Sequence, residues 1–506
     1  MELSIPLTLK NIDIDWSNLN WKQITSYAAV IGGTIYLWNW YVGPSPRLPG
    51  PKGLPIVGNV AKLPLFLTGK SHVVFKEYRA KYGKIFRVPG IFSSRPMVVV
   101  SEAAEVKRML TETDTFARDD MFESKVSGLL DHALFVYPTS ERWKRHRKLL
   151  QPAFGPSHLK HASIVSLNAM QELNAIWDQT FMKSKTFEVD IYTIFTCITL
   201  DIIAKVAFGE SLGSVQSIGS DKCSRWEDLD AISIDVIPSR FFIPEFLWNY
   251  FGAGLKSPKV ALARKNVHEY LHRLIVKGRE DLKEMPEGFN MNVLHRLLLS
   301  NEKGLMSEEE IIGELLGFFL AGHETTSNTL TTTIYNLTKN PKALEKLYEE
   351  VHTVNLDEAS ILDTLPKLKY LDSVVRESQR LQSIVGNLGR TNTKTTTVMG
   401  YEFPKGTRFS LYIGAIHLSE EYYTDPLEFN PDRWTQPVVA GAFLPFGDGP
   451  HNCIGQKMAL IETKVVLIEF VKRYNFQIVP GSNLEFVTSL THGLKNGLPL
   501  ILTKRG

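Results

Sequence analysis

The chain has 506 residues, 43% apolar and 22% charged, the proportions of a globular protein with room for a large core or several ordinary domains. A formal net charge of +3 and the lack of any long Lys/Arg block argue against nucleic-acid binding. Its three cysteines, Cys197, Cys223 and Cys453, are odd in number and far apart, which excludes a disulfide framework and suits a reducing compartment.

In chain order, the first predicted element is an uncharged stretch over about 24–42, long enough for one helical crossing of a bilayer. Trp21 precedes it, and Trp38, Trp40 and Tyr41 close it, where an aromatic belt would sit. Asn39 and two glycines leave a helix lying in the interface as the alternative. Glu2, Asp13 and Asp15 stand where a cleaved leader would be basic, and Arg47 and Lys52 follow the stretch, so the remainder is expected in the cytosol. The proline-rich run PSPRLPGPKGLPIVGN at 44–59 is a stiff connector incompatible with helix. No repeat or second linker of this kind follows. The expected organisation is an anchor-bearing segment at 1–43, a hinge at 44–59 and one large, mostly helical domain over 60–506.

Within ERWKRHRKLL, Trp143 and Arg147 lie one helical turn apart on one side, with Lys144, Arg145 and Lys148 turned away from it. The plainest reading of those three is a solvated face. The clearest helix starts at Ser307, where Ser307 and Glu310 form a capping box, and runs to about Asn340, with Pro341 opening the next helix. Apolar residues on most sides mark it as a buried central helix. Inside it AGHETTS places a glycine, an acid and two threonines where Gly alone loses about 1 kcal/mol against Ala. Either the hydroxyls bond back one turn, or Ala321 and Gly322 leave room for a group against the helix, with Glu324 and Thr325 as an acid and an alcohol beside it. A zinc-protease HExxH is excluded, because Ser327 stands where the second His is needed.

Further on, Glu377 and Arg380 share a helix face at i, i+3. The run TTTVMGYEFPKGTRFSLYIGAI alternates about a Pro-Lys-Gly turn and predicts strands, a small β region. FNPDRW then offers Arg433 in a turn. Last comes FGDGPHNCIG, where Cys453 ends a glycine-rich loop at the start of a helix. A lone cysteine is ordinarily a small buried hydrophobe.

Taken in order, Trp-x-x-x-Arg, Ala-Gly-x-Glu-Thr-Thr, Glu-x-x-Arg, Phe-x-Pro-x-Arg and Phe-x-x-Gly-x-His-x-Cys-x-Gly, with the proline hinge, resemble the cytochrome P-450 superfamily of haem-thiolate monooxygenases, of the eukaryotic microsomal type. The resemblance covers the chain from Pro44 to its end. It implies a mainly α fold with a small β region, and haem b between the long central helix and the cysteine-loop helix. Cys453 would be the thiolate on the iron, and Phe446, Gly449 and Gly455 would bind the haem, Phe446 packed by the sulfur and the glycines letting backbone approach the porphyrin. Trp143, Arg147, Arg390 and His451 would hold the haem propionates. Glu377, Arg380 and Arg433 would form a structural ion-pair network. Glu324 and Thr325 would deliver protons.

Two departures from the family pattern stand out. His451 replaces the more usual Arg, a donor whose charge depends on pH. RLQSIVGNLGR lacks the prolines common after Glu-x-x-Arg, which bears on the role of Arg390. No nucleotide-binding glycine motif is present, so electrons are expected from a separate NADPH-dependent reductase, with cytochrome b5 as an optional second donor, at the endoplasmic reticulum membrane. Pocket walls are expected from 122–132, 240–251, the central helix and 489–493, facing an apolar lipid, sterol, terpenoid or xenobiotic. The alternatives are a haem-thiolate isomerase or dehydratase working without O2, and a non-catalytic haem sensor or carrier.

Overall fold

The computed structural model describes residues 25–33, 48–53, 59–90, 96–118, 120–219, 227–232, 236–241, 243, 245–284 and 291–505. Residues 25–33 form an exposed helix, with Tyr27, Val30 and Ile31 uncovered. The rest of the expected anchor at 24–42, much of the 44–59 connector and Cys223 lie outside the described residues. The described part of the connector is docked on the fold. The Pro49 carbonyl accepts from the Arg87 N–H at 2.8 Å, a side chain at Gly50 would overlap the Arg87 carbonyl, and Leu48 packs on a core cluster. The folded body thus takes in 48–50, ahead of the expected boundary at 60.

The principal helices are α1 (Ser71–Tyr82), α2 (Glu141–Leu150), α3 (Pro156–Lys183), α4 (Ile191–Phe208), α5 (Pro258–Glu284), α6 (Glu308–Lys339), α7 (Lys369–Leu381) and α8 (Gln456–Arg473). Helix α6 is the predicted central helix. The Ser307 hydroxyl accepts from Glu310 N–H at 3.2 Å, the Glu310 carboxylate accepts from Ser307 N–H at 2.8 Å, and Pro341 opens the following helix. Helix α4 is long and apolar enough to cross a membrane, but 83% of it is buried. It is a core helix against α6, with Phe208 and Phe319 rings 4.5 Å apart.

Helix α2 is clamped to α6 by buried charge. His146 Nδ1 lies 2.6 Å from Glu314 and its Nε2 3.2 Å from Glu310, which also accepts from Arg142 at 2.9 Å. Burial pushes the Glu314 carboxyl up; burial acts the same way on Glu310, but the Ser307 N–H, Arg142 and His146 prevail and hold it at about 2. The Leu134 N–H donates to Glu314, and side chains at Gly313 or Gly317 would overlap residues 131–133. The clamp therefore fixes the 131–134 loop and α2 on one side of the central helix.

The strands are β1 (Ile85–Val88), β2 (Met97–Val100), β3 (Phe116–Ala117), β4 (Thr186–Asp190), β5 (Asn387–Asn392), β6 (Arg408–Tyr412), β7 (Tyr474–Ile478), β8 (Phe486–Thr488), β9 (His492–Leu494) and β10 (Pro499–Lys504). The largest sheet runs β1-β2-β6-β5-β3, with β2 and β6 parallel and its other pairs antiparallel. β4-β10-β7 form a second sheet, and β8-β9 a hairpin. The predicted strand run departs from the expectation at its end. Residues 396–398 and 401–403 pair, β6 follows, but Ile413–His417 is a short helix. The physical reason is tertiary: buried His417 bonds Ser383 at 2.7 Å and accepts the Leu444 N–H at 2.9 Å, partners on two other segments.

Candidate functional site

The cysteine loop closes on itself. Cys453 N–H donates to the Phe446 carbonyl at 3.0 Å, and Gly447 and Gly449 take φ values of 71° and 68°, where a side chain is strained. The Asp448 carboxylate accepts from the Gly449 N–H at 2.7 Å. A side chain at Gly449 would overlap the Leu110 carbonyl, so this glycine seats the loop on neighbouring backbone and its close contact is away from the sulfur. Gly455 caps α8, and the Gly455 and Gln456 N–H groups face the Cys453 sulfur. Burial pushes the thiol up, while those N–H groups and Arg147 favour the thiolate. The sulfur is deep among protein atoms, yet the residue is exposed.

Helix α6 lies next to this loop. Phe154 joins the two: its ring stacks on Phe318 at 5.9 Å and lies 3.7 Å from where a Gly455 side chain would start. Along the buried α6, Ala321 is exposed and Phe318, Gly322 and Thr325 are partly covered, a stripe at helical spacing with small residues at its middle. Ala321 leaves room on this face. Gly322 does not: a side chain there would meet Ile203 at 2.6 Å, so this glycine serves the close packing of α4. The Thr325 hydroxyl donates back to the Ala321 carbonyl at 2.8 Å. Glu324 is turned away from Thr325 and buried; its Oε1 accepts from the Thr491 hydroxyl, and Oε2 is buried without a partner. Burial pushes this carboxyl to about 7, with Asp230 adding to the rise against the Thr491 hydrogen bond.

At the rim three guanidinium groups converge. β3 pairs with β5 so that Ala117 faces Thr391, which brings Arg118, the next residue, beside Arg390. Arg147 reaches in from α2 and donates to the carbonyl and side-chain oxygens of Asn452, each at 2.8 Å. Arg118 donates to the backbone carbonyls of Leu134, Phe135 and Tyr137. Burial, then Arg390 and Arg147, push its pKa down to about 9. His451 stacks on Trp143 at 3.8 Å between ring centroids. Burial, then the three arginines, push its pKa down to about 2. The Thr139 hydroxyl accepts from Arg118 N–H at 2.8 Å and sits 2.8 Å from His451 Nε2. If the hydroxyl proton goes to Nε2, this network assigns the His451 proton to Nδ1, a buried atom with no partner.

Arg118 was not legible in the sequence: TFARDD carries no motif, and only sheet register brings it to the rim. A cluster of buried cations and an unpartnered N–H fits an anionic ligand, since a pair of carboxylates turns each repulsion into attraction. Cys453, whose thiolate the Gly455 and Gln456 N–H groups and Arg147 favour, supplies a metal ligand beside that cluster. The residues present therefore suit haem.

Away from the rim, Glu377 accepts from Arg380 Nε at 2.9 Å and its Nη2 at 2.8 Å, and from Arg433 Nε at 2.9 Å. Trp434 Nε1 and Asn430 N–H add bonds at 3.1 and 2.9 Å. Arg380 and Glu377 are fully buried, and Arg380 also donates to the His417, Pro426 and Glu428 carbonyls. The expected walls meet as well. Phe122 packs on Phe241 and Phe135, while Arg240 donates to the Lys125 and Ser127 carbonyls. Lys144, Arg145 and Lys148 are exposed, but Arg145 is tied to Glu310 at 3.0 Å.

A family model described as Cytochrome P450 matches residues 48–501. Among curated relatives, Cytochrome P450 3A6 of Oryctolagus cuniculus is 26% identical over 474 residues, 90% of this chain and 91% of that protein. Cytochrome P450 3A9 of Rattus norvegicus is 27% identical over 470 residues, 90% of each. Cytochrome P450 3A40 of Oryzias latipes is 25% identical over 503 residues, 96% of this chain and 97% of that protein.

Proposed function

The chain belongs to the cytochrome P450 family, and from that premise we propose that it inserts one oxygen atom from O2 into an apolar substrate in the hollow between the cysteine loop and α6. It is a haem-thiolate monooxygenase that uses a redox partner. Haem, when bound, would supply an iron centre that activates O2, with the Cys453 thiolate adding electron density to it. The observation that carries the reading is the exposed Cys453 beside Arg147, which also joins Arg118, Arg390 and His451 in one cluster.

In this reading Cys453 holds the metal, its anion supported by the N–H groups at the start of α8. Arg118, Arg147, Arg390, Trp143 and His451 hold the propionates. Phe446, Gly449 and Gly455 shape the loop, and the Glu377–Arg380–Arg433 network keeps the surrounding backbone in place. Thr325 presents a hydroxyl to the hollow. Glu324, poised near neutral pH, stores a proton one residue away. Electrons come from an NADPH-dependent reductase, with cytochrome b5 as an optional second donor, at the endoplasmic reticulum membrane. The apolar walls favour a lipid, sterol, terpenoid or xenobiotic.

The test is turnover with reductase and NADPH under ¹⁸O-labelled O2, using apolar compounds first selected by a low-spin to high-spin Soret shift. One labelled atom in the product is expected; product formed without O2 would favour an isomerase. Thr325→Ala is expected to keep haem and to divert electrons to H2O2, lowering product per NADPH severalfold; unchanged coupling would remove Thr325 from the mechanism. Deleting residues 1–43 is expected to reduce co-sedimentation with membranes and leave haem bound. Loss of haem in the truncated protein would move the domain boundary.

A further inference from the structure

We propose that Thr491 is a positioning residue for Glu324: its hydroxyl, delivered by the β8–β9 hairpin, docks the carboxyl on the hairpin side of α6 and governs when its proton is released. The inference rests on the proton-delivery reading of Glu324. The geometry is specific. Thr491 Oγ1 accepts from Asn328 Nδ2 at 3.1 Å, so its single proton goes to Glu324 Oε1. Glu324 and Asn328 lie one turn apart on the same face of α6, and both point at the hairpin. A side chain at Gly493 would overlap the Asn328 amide, so hairpin and helix interlock at this point. The hairpin is pinned from elsewhere too: Thr488 N–H donates to the Gly69 carbonyl at 2.7 Å, and His492 N–H to the Ile384 carbonyl at 2.8 Å.

What faces Glu324 is otherwise poor in charge. Asp230, on the helix Glu227–Ile232, is the one ionised group among the described residues whose field reaches it, and it favours the neutral acid. Helix α4 presents uncharged Thr199, bonded to the His323 carbonyl at 3.1 Å. His323 itself turns to the Phe319 carbonyl, and the His492 ring turns to Thr488. Thr491 is thus the donor that stabilises the carboxylate, while Oε2 has no partner among the described residues. Removing the hydroxyl withdraws the carboxylate's support and leaves the neutral form favoured.

The test uses the haem-loaded protein and two readouts. The first, without turnover, is the infrared carboxyl band of Glu324, identified as the band missing in Glu324→Gln and followed against pH. Losing one hydrogen bond to a charged group is expected to raise its midpoint by about one pH unit or more in Thr491→Val, with Thr491→Ser restoring it. The second is the pH profile of product formed per NADPH, expected to move in the same direction and by a similar amount. A band midpoint that stays put in Thr491→Val overturns the inference whatever the coupling does. A midpoint that moves while coupling is unchanged in both Thr491→Val and Glu324→Gln overturns the proton-delivery reading, and with it any role of Thr491 in the reaction. A general structural defect would lower activity at all pH values and would not be rescued selectively by Ser.

Discussion

Glu377→Ala is expected to lose about 3–5 kcal/mol of stability, enough to leave little folded protein at physiological temperature. Among the described residues Glu377 is the one carboxylate paired with these arginines, and it serves two of them at once. Its removal leaves Arg380, fully buried, bonded to three carbonyls with no counter-charge, and strips Arg433, Trp434 and Asn430 of their shared acceptor. The loss is large because a buried cation deprived of its partner keeps its desolvation penalty. Arg433→Ala is expected to cost less, since Arg433 is partly exposed and Glu377 keeps both bonds from Arg380. Chemical denaturation of the three proteins measures the order; Arg433→Ala as damaging as Glu377→Ala would contradict it.

Arg147→Glu is expected to purify with less than about a tenth of the normal haem per chain, since reversing a charge at a half-buried site facing other ionised groups costs about 1.4 kcal/mol or more. Two effects combine. Arg147 holds both oxygens of Asn452, the residue before Cys453, and it is one of the three cations at the rim. A glutamate there would release the loop and repel the carboxylates that the rim is built to hold. The control lies on the same helix. Lys144→Glu with Lys148→Glu changes exposed residues of α2 and is expected to keep haem, while slowing reduction by an acidic reductase domain at low salt. Arg145 is left out because it anchors Glu310. Equal haem loss in both proteins would contradict the division of α2 into two faces.

Local pattern carried much of this molecule. The capping box at Ser307, the turn-apart Trp143 and Arg147, the Glu377–Arg380 pair and the cysteine loop are each readable because the residues that matter lie within a few positions of one another. What was not readable depends on distant segments. Arg118 reaches the rim through a two-residue strand paired with β5, and Thr491 meets Glu324 only because a hairpin near the C-terminus packs on α6. Gly322 looked like room for a bound group, but the space belongs to Ile203 of α4. Helix spacing states which side chains share a face; it does not state what covers that face.

The most direct measurement of the central claim is the CO-difference spectrum of the reduced protein, taken for the natural chain and for Cys453→His. The natural chain is expected to absorb at the position of thiolate-ligated haem, and Cys453→His to lose that band while Arg118, Arg147 and Arg390 still retain haem. If Cys453→His kept the thiolate band, the sulfur would have to come from Cys197 or Cys223, and the assignment of Cys453 to the metal would be wrong.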